Sequence, residues 1–232
     1  EELRPQFGRV KQLMEAFGVA VFELEGWEAD DVIGTLSAQA EKMGLDSVIL
    51  TGDRDTFQLI SPKVRVDLAS SIQDRKVYDE EALEERYSGL TAAQQTDFKA
   101  LLGDTSDNIP GVPKVGEKTA IALLNDYQNL EGIYEHIEEV TRPSVKQCLE
   151  EFKDRAFSNR ELMTIDRESP VELDLEKAKF GDFDRNAVVQ LMTELEFFTV
   201  IPRIPETGGS QETSEAVASP IQAPGEGADY TV

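Results

Sequence analysis

The chain has 232 residues, and its content of 40% hydrophobic and 30% charged residues is ordinary for a folded globular protein. No apolar run approaches the ~20 residues that cross a bilayer, and one cysteine and one histidine exclude an internal disulfide and a structural zinc site with several such ligands. The net charge of −23 argues against a uniformly basic nucleic-acid-binding surface, but not against carboxylate clusters whose local charge comes from bound cations.

The first part of the chain alternates helical and extended patterns. Apolar residues recur at helical spacing over 5–17, and Gly18 suits the cap at the end of that helix. The other predicted elements are a helix over 28–43 and strands over 19–24, 47–51, 64–68 and 76–78. This alternation predicts an α/β fold with a parallel sheet flanked by helices, in which sites form at the carboxyl ends of strands.

From residue 79 onward the pattern is nearly all helical. We predict helices over 79–87, 91–102, 117–126, 129–139, 143–165 and 184–197, with one short strand over 170–175. From residue 205 the composition shifts to small and polar residues, which predicts a flexible linker. The chain therefore divides into an α/β portion over 1–90, a helical region over 91–204 and a linker over 205–232.

Three acidic clusters follow predicted elements. One opens the helix after the first strand, one follows the second strand, and one lies in the loop after a helix; the residues are Glu28, Asp30, Asp31, Asp53, Asp55, Asp104 and Asp107. Mg²⁺ takes oxygen ligands, and two such ions ~3.5–4 Å apart can promote phosphodiester cleavage. Each cluster alone also has an ordinary explanation as a helix start or a turn. Together they indicate a candidate metal site.

A glycine-rich segment over 108–120 precedes a predicted helix. Its sequence over 111–116, GVPKVG, has the form of a helix-hairpin-helix, in which backbone amides and lysines hold phosphate without reading bases. The candidate DNA-binding residues are Gly111, Val112, Lys114, Val115, Gly116, Lys118 and Thr119. The alternative is a plain turn between helices. The spacing lacks the Walker pattern, which argues against a nucleotide-binding loop.

Three blocks in this order, EADD over 28–31, TGDRD over 51–55 and GDTSDNIPGVPKVGEKTA over 103–120, closely resemble the 5′→3′ exonuclease domains of bacterial DNA polymerases I, in the flap-endonuclease superfamily. The resemblance covers roughly 1–204. It implies a 5′ nuclease fold whose α/β core, over 1–90, binds metal and whose helical region, over 91–204, binds DNA. It also implies two Mg²⁺ or Mn²⁺ ions, the first served by residues 28, 30 and 31 and the second by residues 53, 55, 104 and 107.

The same resemblance implies a biological setting. The substrate would be a 5′ flap or nicked duplex in DNA replication and repair, and a K⁺ ion would lie on hairpin carbonyls. We expect a monomer in the bacterial cytoplasm, associated with the nucleoid, and a linker toward a missing exonuclease or polymerase portion.

The chain also departs from the family pattern. That pattern begins earlier, with two strands that each deliver an aspartate and with a basic helical arch, so we expect this chain to be truncated at its N-terminus. A catalytically impaired DNA-binding fragment is therefore the alternative to an active nuclease. An incomplete sheet would also expose an edge and lower solubility. A phosphotransfer domain, which also places acids after strands, would not explain the hairpin.

Overall fold

The computed structural model describes residues 4–71 and 74–205, which form two compact units. The larger is Phe22–Asp174, and the smaller combines the described parts of Glu1–Val21 and Leu175–Val232. The predicted linker lies outside the described residues except for Pro205, and the division at residues 90 and 204 stays a prediction. None of the helices described is long and apolar enough to span a membrane.

The sheet of the larger unit has three strands in the order β1-β2-β3. Strands β1 (Ser47–Thr51) and β2 (Val64–Ala69) run parallel, as predicted. Strand β3 (Arg75–Tyr78) is antiparallel to β2, because the few residues between them allow a hairpin but not the crossover that a parallel return requires. Helix α2 (Ala29–Lys42) precedes β1. The α/β architecture and the strand predicted over 76–78 therefore agree with the prediction, but this strand is antiparallel in a sheet that was predicted to be parallel.

Two predicted strands are wrong. Residues 19–24 and 170–175 are extended or irregular and join neither described sheet. Both segments have apolar residues suited to a strand, but a strand also needs a neighbour with which to exchange backbone hydrogen bonds. Local composition carries no information about that neighbour.

Between β3 and residue 205, where the described part of the chain ends, the regular structure is helical apart from one two-stranded ribbon. Strands β4 (Gly103–Asp104) and β5 (Ile109–Pro110) form this antiparallel ribbon. The helices are α3 (Glu80–Arg86), α4 (Gln95–Leu102), α5 (Glu117–Tyr127), α6 (Leu130–Glu135), α7 (Pro143–Glu151) and α8 (Lys153–Met163). In the smaller unit, α1 (Arg4–Ala16) packs against α9 (Arg185–Glu194).

The helix predicted over 143–165 is two helices. Phe152, with φ −107° and ψ 23°, ends α7 and precedes α8. Core-facing positions nevertheless recur every three or four residues through the break: Val145, Leu149, Ala156 and Asn159 are buried, and Phe152 is partly buried against the core. The hydrophobic pattern is therefore continuous where the backbone is not, which is why the sequence predicted one helix.

The core of the larger unit joins the sheet to the helices. Its fully buried side chains include Phe57, Leu59, Leu83 and Leu101. Tyr87 makes an edge contact with Phe98, with ring centroids 5.2 Å apart. Burial of large aromatic and aliphatic groups is the dominant stabilising term in such a core, and it fixes the elements that carry the acidic clusters.

Candidate metal site and adjoining hairpin

The second acidic cluster begins just beyond the carboxyl end of β1. Asp53 caps a 3₁₀ helix (Arg54–Leu59): its Oδ1 accepts a hydrogen bond from the Asp55 amide at 2.9 Å. Thr56 Oγ donates to the Asp53 carbonyl at 2.7 Å and is itself buried. The Asp53 carboxylate thus shapes the turn, and the turn holds Asp55 with only 18% of its side chain exposed.

The third cluster begins at Asp104, the last residue of β4, and continues into the loop that leads to β5. Asp104 Oδ1 accepts hydrogen bonds from the amide, at 2.8 Å, and from the hydroxyl of Ser106. Gly103 has φ 75°, and a methyl group there would overlap the backbone of Gly111. A methyl group on Gly111 would overlap the Leu102 carbonyl. Glycine at both positions lets the loop close against the end of α4.

Asp55, Asp104 and Asp107 come together. Each offers one carboxylate oxygen, and these three oxygens lie within 4.8 Å of one another. Oxygens that bind one Mg²⁺ at ~2.1 Å are at most ~4.2 Å apart. The observed spacing needs only a small side-chain adjustment to reach that geometry, so the three residues fit a hard divalent cation.

Lys99 enters the same cluster from the last turn of α4. Its Nζ contacts Asp55 Oδ1 and lies 2.8 Å from Asp104 Oδ2. Together with the Ser106 hydrogen bonds, Lys99 holds the pKa of Asp104 well below its usual range. Lys99 was not among the residues predicted for the site. A lysine in the last turn of a helix is ordinary, and nothing in the pattern links it to Asp55.

The first acidic cluster is partly engaged in capping. Glu28 and Asp31 form a reciprocal capping box at the start of α2, and Asp31 Oδ1 also accepts from the Asp166 amide at 2.8 Å. Burial, and then the negative charge of Asp53, raise the pKa of Asp30. Asp30 is therefore electrostatically coupled to the second cluster, whereas Asp31 has a structural role as well.

The seven predicted carboxylates line two cavities. One, of about 590 Å³, is lined by Asp53, Asp55 and Asp104. The other, of about 680 Å³, has Asp55 in its lining too, together with the other four predicted carboxylates, Glu28, Asp30, Asp31 and Asp107. Asp55 thus lines both cavities. The acidic clusters predicted from sequence therefore line two cavities that share Asp55, and the seven carboxylates do not form one coordination sphere.

The hairpin residues divide into anchors and exposed groups. Val112 and Val115 are buried in the core, so their side chains cannot reach a ligand. Lys114, with φ 66°, and Lys118 are exposed. Gly116 precedes α5 as its N-cap residue, with an extended backbone and no side-chain capping hydrogen bond. Of the predicted DNA-binding residues, the lysines therefore offer charge, while the two valines pack their side chains in the core and have backbone groups to offer.

Asn159, on α8, fixes the hairpin from behind. Its Nδ2 donates to the Ala100 carbonyl at 3.1 Å and to the Pro110 carbonyl at 3.0 Å. The side chain thus ties the end of α4 to β5, on either side of the loop that carries Asp104. No sequence pattern indicated this residue, since its partners lie 59 and 49 positions away.

The 590 Å³ cavity runs from the carboxylates to the start of α5. Besides the acidic residues, its lining includes Arg54, Arg86, Lys99 and Glu117. Arg86 Nη1 lies 3.0 Å from Glu117 Oε1. Cationic side chains therefore share this cavity with three of the candidate metal ligands. A mixed α/β fold with this arrangement defines a class: a module in which a cluster of aspartates that fits a divalent cation lies near a glycine-rich turn before a helix.

The chain belongs to the 5′-3′ exonuclease family. The family's N-terminal resolvase-like domain matches residues 1–88, and its C-terminal SAM fold matches residues 90–186. The chain is 44% identical over 227 residues to DNA polymerase I of Chloroflexus aurantiacus and 40% identical over 217 residues to that of Bacillus subtilis. These matches cover 97% and 93% of this chain, but only 23% and 24% of the two polymerases.

Solved structures share the fold. A bacteriophage T5 flap endonuclease in a pseudo-enzyme-product complex with DNA and metal ions matches with a TM-score of 0.54 and 22% identity, over 79% of this chain and 61% of that one. The catalytic core of Rad2 in complex with DNA substrate matches with a TM-score of 0.57 and 17% identity, over 87% and 70%. Flap-endonuclease neighbours thus bind metal ions, and this chain carries an aspartate cluster on the same fold.

Proposed function

We propose that this chain is the 5′→3′ exonuclease and flap-endonuclease module of a DNA polymerase I, and that it hydrolyses DNA phosphodiesters in replication and repair. The observation that carries the proposal is the convergence of Asp55, Asp104 and Asp107 in one cluster. Family membership supports it.

The proposed cofactors are two Mg²⁺ or Mn²⁺ ions. Asp55, Asp104 and Asp107 fit one of them, and Glu28, Asp30, Asp31 and Asp53 are the remaining candidates for holding the other. Bound ions of this kind acidify a water and stabilise the leaving oxygen of a phosphodiester. The chain's one histidine is engaged elsewhere, with its Nδ1 2.9 Å from Glu139 Oε1. The carboxylates therefore have the task of binding and orienting, without a histidine base beside them.

The proposed substrate is a 5′ flap or nicked duplex. Exposed Lys114 and Lys118, with the amides at the start of α5, would hold duplex phosphates without reading sequence. A K⁺ ion on hairpin carbonyls would add to that contact. Arg54 and Arg86 line the cavity that leads to the carboxylates and would guide the strand toward them. We further propose that the protein acts as a monomer in the bacterial cytoplasm, associated with the nucleoid.

Cleavage of a 5′-labelled flap duplex in Mg²⁺ tests the proposal. The variants are Asp55→Asn and Asp104→Asn, which keep side-chain size but remove a charge. Asp46→Asn is the matched control, because Asp46 is exposed and pairs with Lys63 before β1 begins. We expect cleavage by the wild type and the control, and a loss on the order of a hundredfold or more in the two site variants.

The outcomes separate the alternatives. No cleavage, with the flap still bound in Ca²⁺, would favour a DNA-binding fragment with impaired catalysis. Neither cleavage nor binding would refute the hairpin assignment. Equal cleavage by all variants would refute the metal site.

A further inference from the structure

Lys99 lies inside the candidate metal site rather than beside it. Its Nζ contacts Asp55 Oδ1 and Asp104 Oδ2, and the three side chains are only 21%, 18% and 16% exposed. Its positive charge also reaches Asp30, in the first acidic cluster. A half-buried ammonium between two carboxylates is strongly attracted to both, because solvent screens it poorly.

The position of Lys99 coincides with the position that a cation would need. Asp104 Oδ1 is already held by the amide and hydroxyl of Ser106. Oδ2 is therefore the oxygen that Asp104 has left to offer, and Lys99 contacts that oxygen. On the Asp55 side, Lys99 also contacts a carboxylate oxygen directly.

We propose that Lys99 is a positioning residue that serves as a placeholder cation, holding Asp55 and Asp104 together until a divalent ion displaces its ammonium. The inference rests on the proposed metal-dependent function. It makes metal binding an exchange of cations: the ion gains two carboxylate ligands and the lysine loses both. The four-carbon stem of Lys99 allows such a movement, since the side chain lines the 590 Å³ cavity that also contains Arg54 and Arg86.

The proposal differs from that of an ordinary structural ion pair in its dependence on metal. A placeholder stabilises the protein only while no divalent ion is bound. A structural ion pair stabilises the protein whether or not the ion is present. Stability with and without metal, combined with metal affinity, therefore separates the two roles without reference to cleavage.

The test uses the full chain with Mn²⁺ as the probe. Isothermal titration calorimetry gives the Kd for Mn²⁺, and thermal unfolding in EDTA and in saturating Mn²⁺ gives two values of Tm. The central variant is Lys99→Met, which keeps the stem and removes the charge. Lys99→Arg keeps the charge, and Lys63→Met removes the same charge from an exposed pair with Asp46 that lies outside the candidate site.

For Lys99→Met we expect a Kd on the order of tenfold tighter than that of the wild type, within the usual range for coupled binding events. Its Tm should be lower in EDTA, and the difference should close in saturating Mn²⁺. Lys99→Arg should bind Mn²⁺ no more tightly than the wild type, and Lys63→Met should match it.

An unchanged or weaker Kd in Lys99→Met, or a loss of Tm that persists in Mn²⁺, would overturn the inference while leaving the metal site intact. If neither the wild type nor Lys99→Met binds Mn²⁺ at millimolar concentrations, the proposed function fails and the inference fails with it.

Discussion

Asn159 offers a sharp test of how the site is held in place. The Ala100 carbonyl lies in the last turn of α4, where helical carbonyls have no partner within the helix. Asn159 supplies that partner from α8 and bonds Pro110 in β5 with the same amide group. The residue is 4% exposed, so water cannot readily replace it. Replacement by alanine removes both hydrogen bonds and leaves two carbonyls without this donor.

The expected cost follows from these contacts. A buried carbonyl left without a donor costs about 1–3 kcal/mol, and the Pro110 carbonyl is the less buried of the two. We therefore expect Asn159→Ala to lower the free energy of unfolding by about 2–4 kcal/mol, a large share of the ~5–15 kcal/mol typical of a domain. Asn159→Asp should cost at least as much, because it places a carboxylate opposite two carbonyl oxygens.

Urea unfolding followed by tryptophan fluorescence measures this cost. Trp27 is the chain's one tryptophan and lies in the larger unit, so its signal reports on that unit. Asn125→Ala is the control: Asn125 also donates to a backbone carbonyl, that of Ser88 at 3.0 Å, but on the surface. If both Asn159 variants unfold within about 0.5 kcal/mol of the wild type, the cross-link does not hold the hairpin and the reasoning fails.

Three further predictions follow from other contacts. Gly103→Ala and Gly111→Ala should each destabilise the protein by about 3 kcal/mol or more, because the added methyl group meets backbone atoms; calorimetry would contradict this if Tm were unchanged. Glu131 bonds Arg160 through both carboxylate oxygens at 2.8 and 2.6 Å, which lowers its pKa. Its stabilising effect, under about 1 kcal/mol for such an exposed pair, is present above the unfolded pKa near 4.5 and disappears as the pH falls through the lower folded pKa. Urea unfolding of Glu131→Gln at neutral and acidic pH should show a difference from the wild type only at neutral pH. Leu50 is 62% exposed on edge strand β1 and should limit solubility. Leu50→Asp should raise the protein concentration at which sedimentation velocity detects association, and an unchanged concentration would show that Leu50 does not cause it.

Features that depend on residues adjacent in the sequence could be predicted from it. The strand over 47–51 was predicted with its observed ends, because an apolar run before a glycine leaves little ambiguity. Asp79 was placed at the start of a helix, where its side chain accepts from the Ala82 amide. The acidic triplet was also among the predicted candidates, because its members lie in short motifs.

The features that were predicted wrongly or not at all depend on residues distant in the sequence. The strand predicted over 19–24 has no neighbour in either described sheet, and composition cannot supply one. Lys99 and Asn159 act across 44 and 59 positions, and a lone lysine or asparagine on a helix carries no sign of its partner. The capping role of Asp31 was likewise not separated from a metal-binding role, since the same carboxylate suits both.

The close contact between Gly103 and Gly111 limits how the hairpin could be grafted onto another protein. Gly103 and Gly111 leave no room between the backbone that precedes Asp104 and the backbone that leads into the hairpin. A displacement of the hairpin would therefore also move the loop that follows Asp104, because the two backbone segments are already in contact. A graft that moved residues 111–119 alone would leave behind the surface against which they fit. A graft would need the whole of 99–119, together with an asparagine on a neighbouring helix that can donate to the Ala100 and Pro110 carbonyls as Asn159 does.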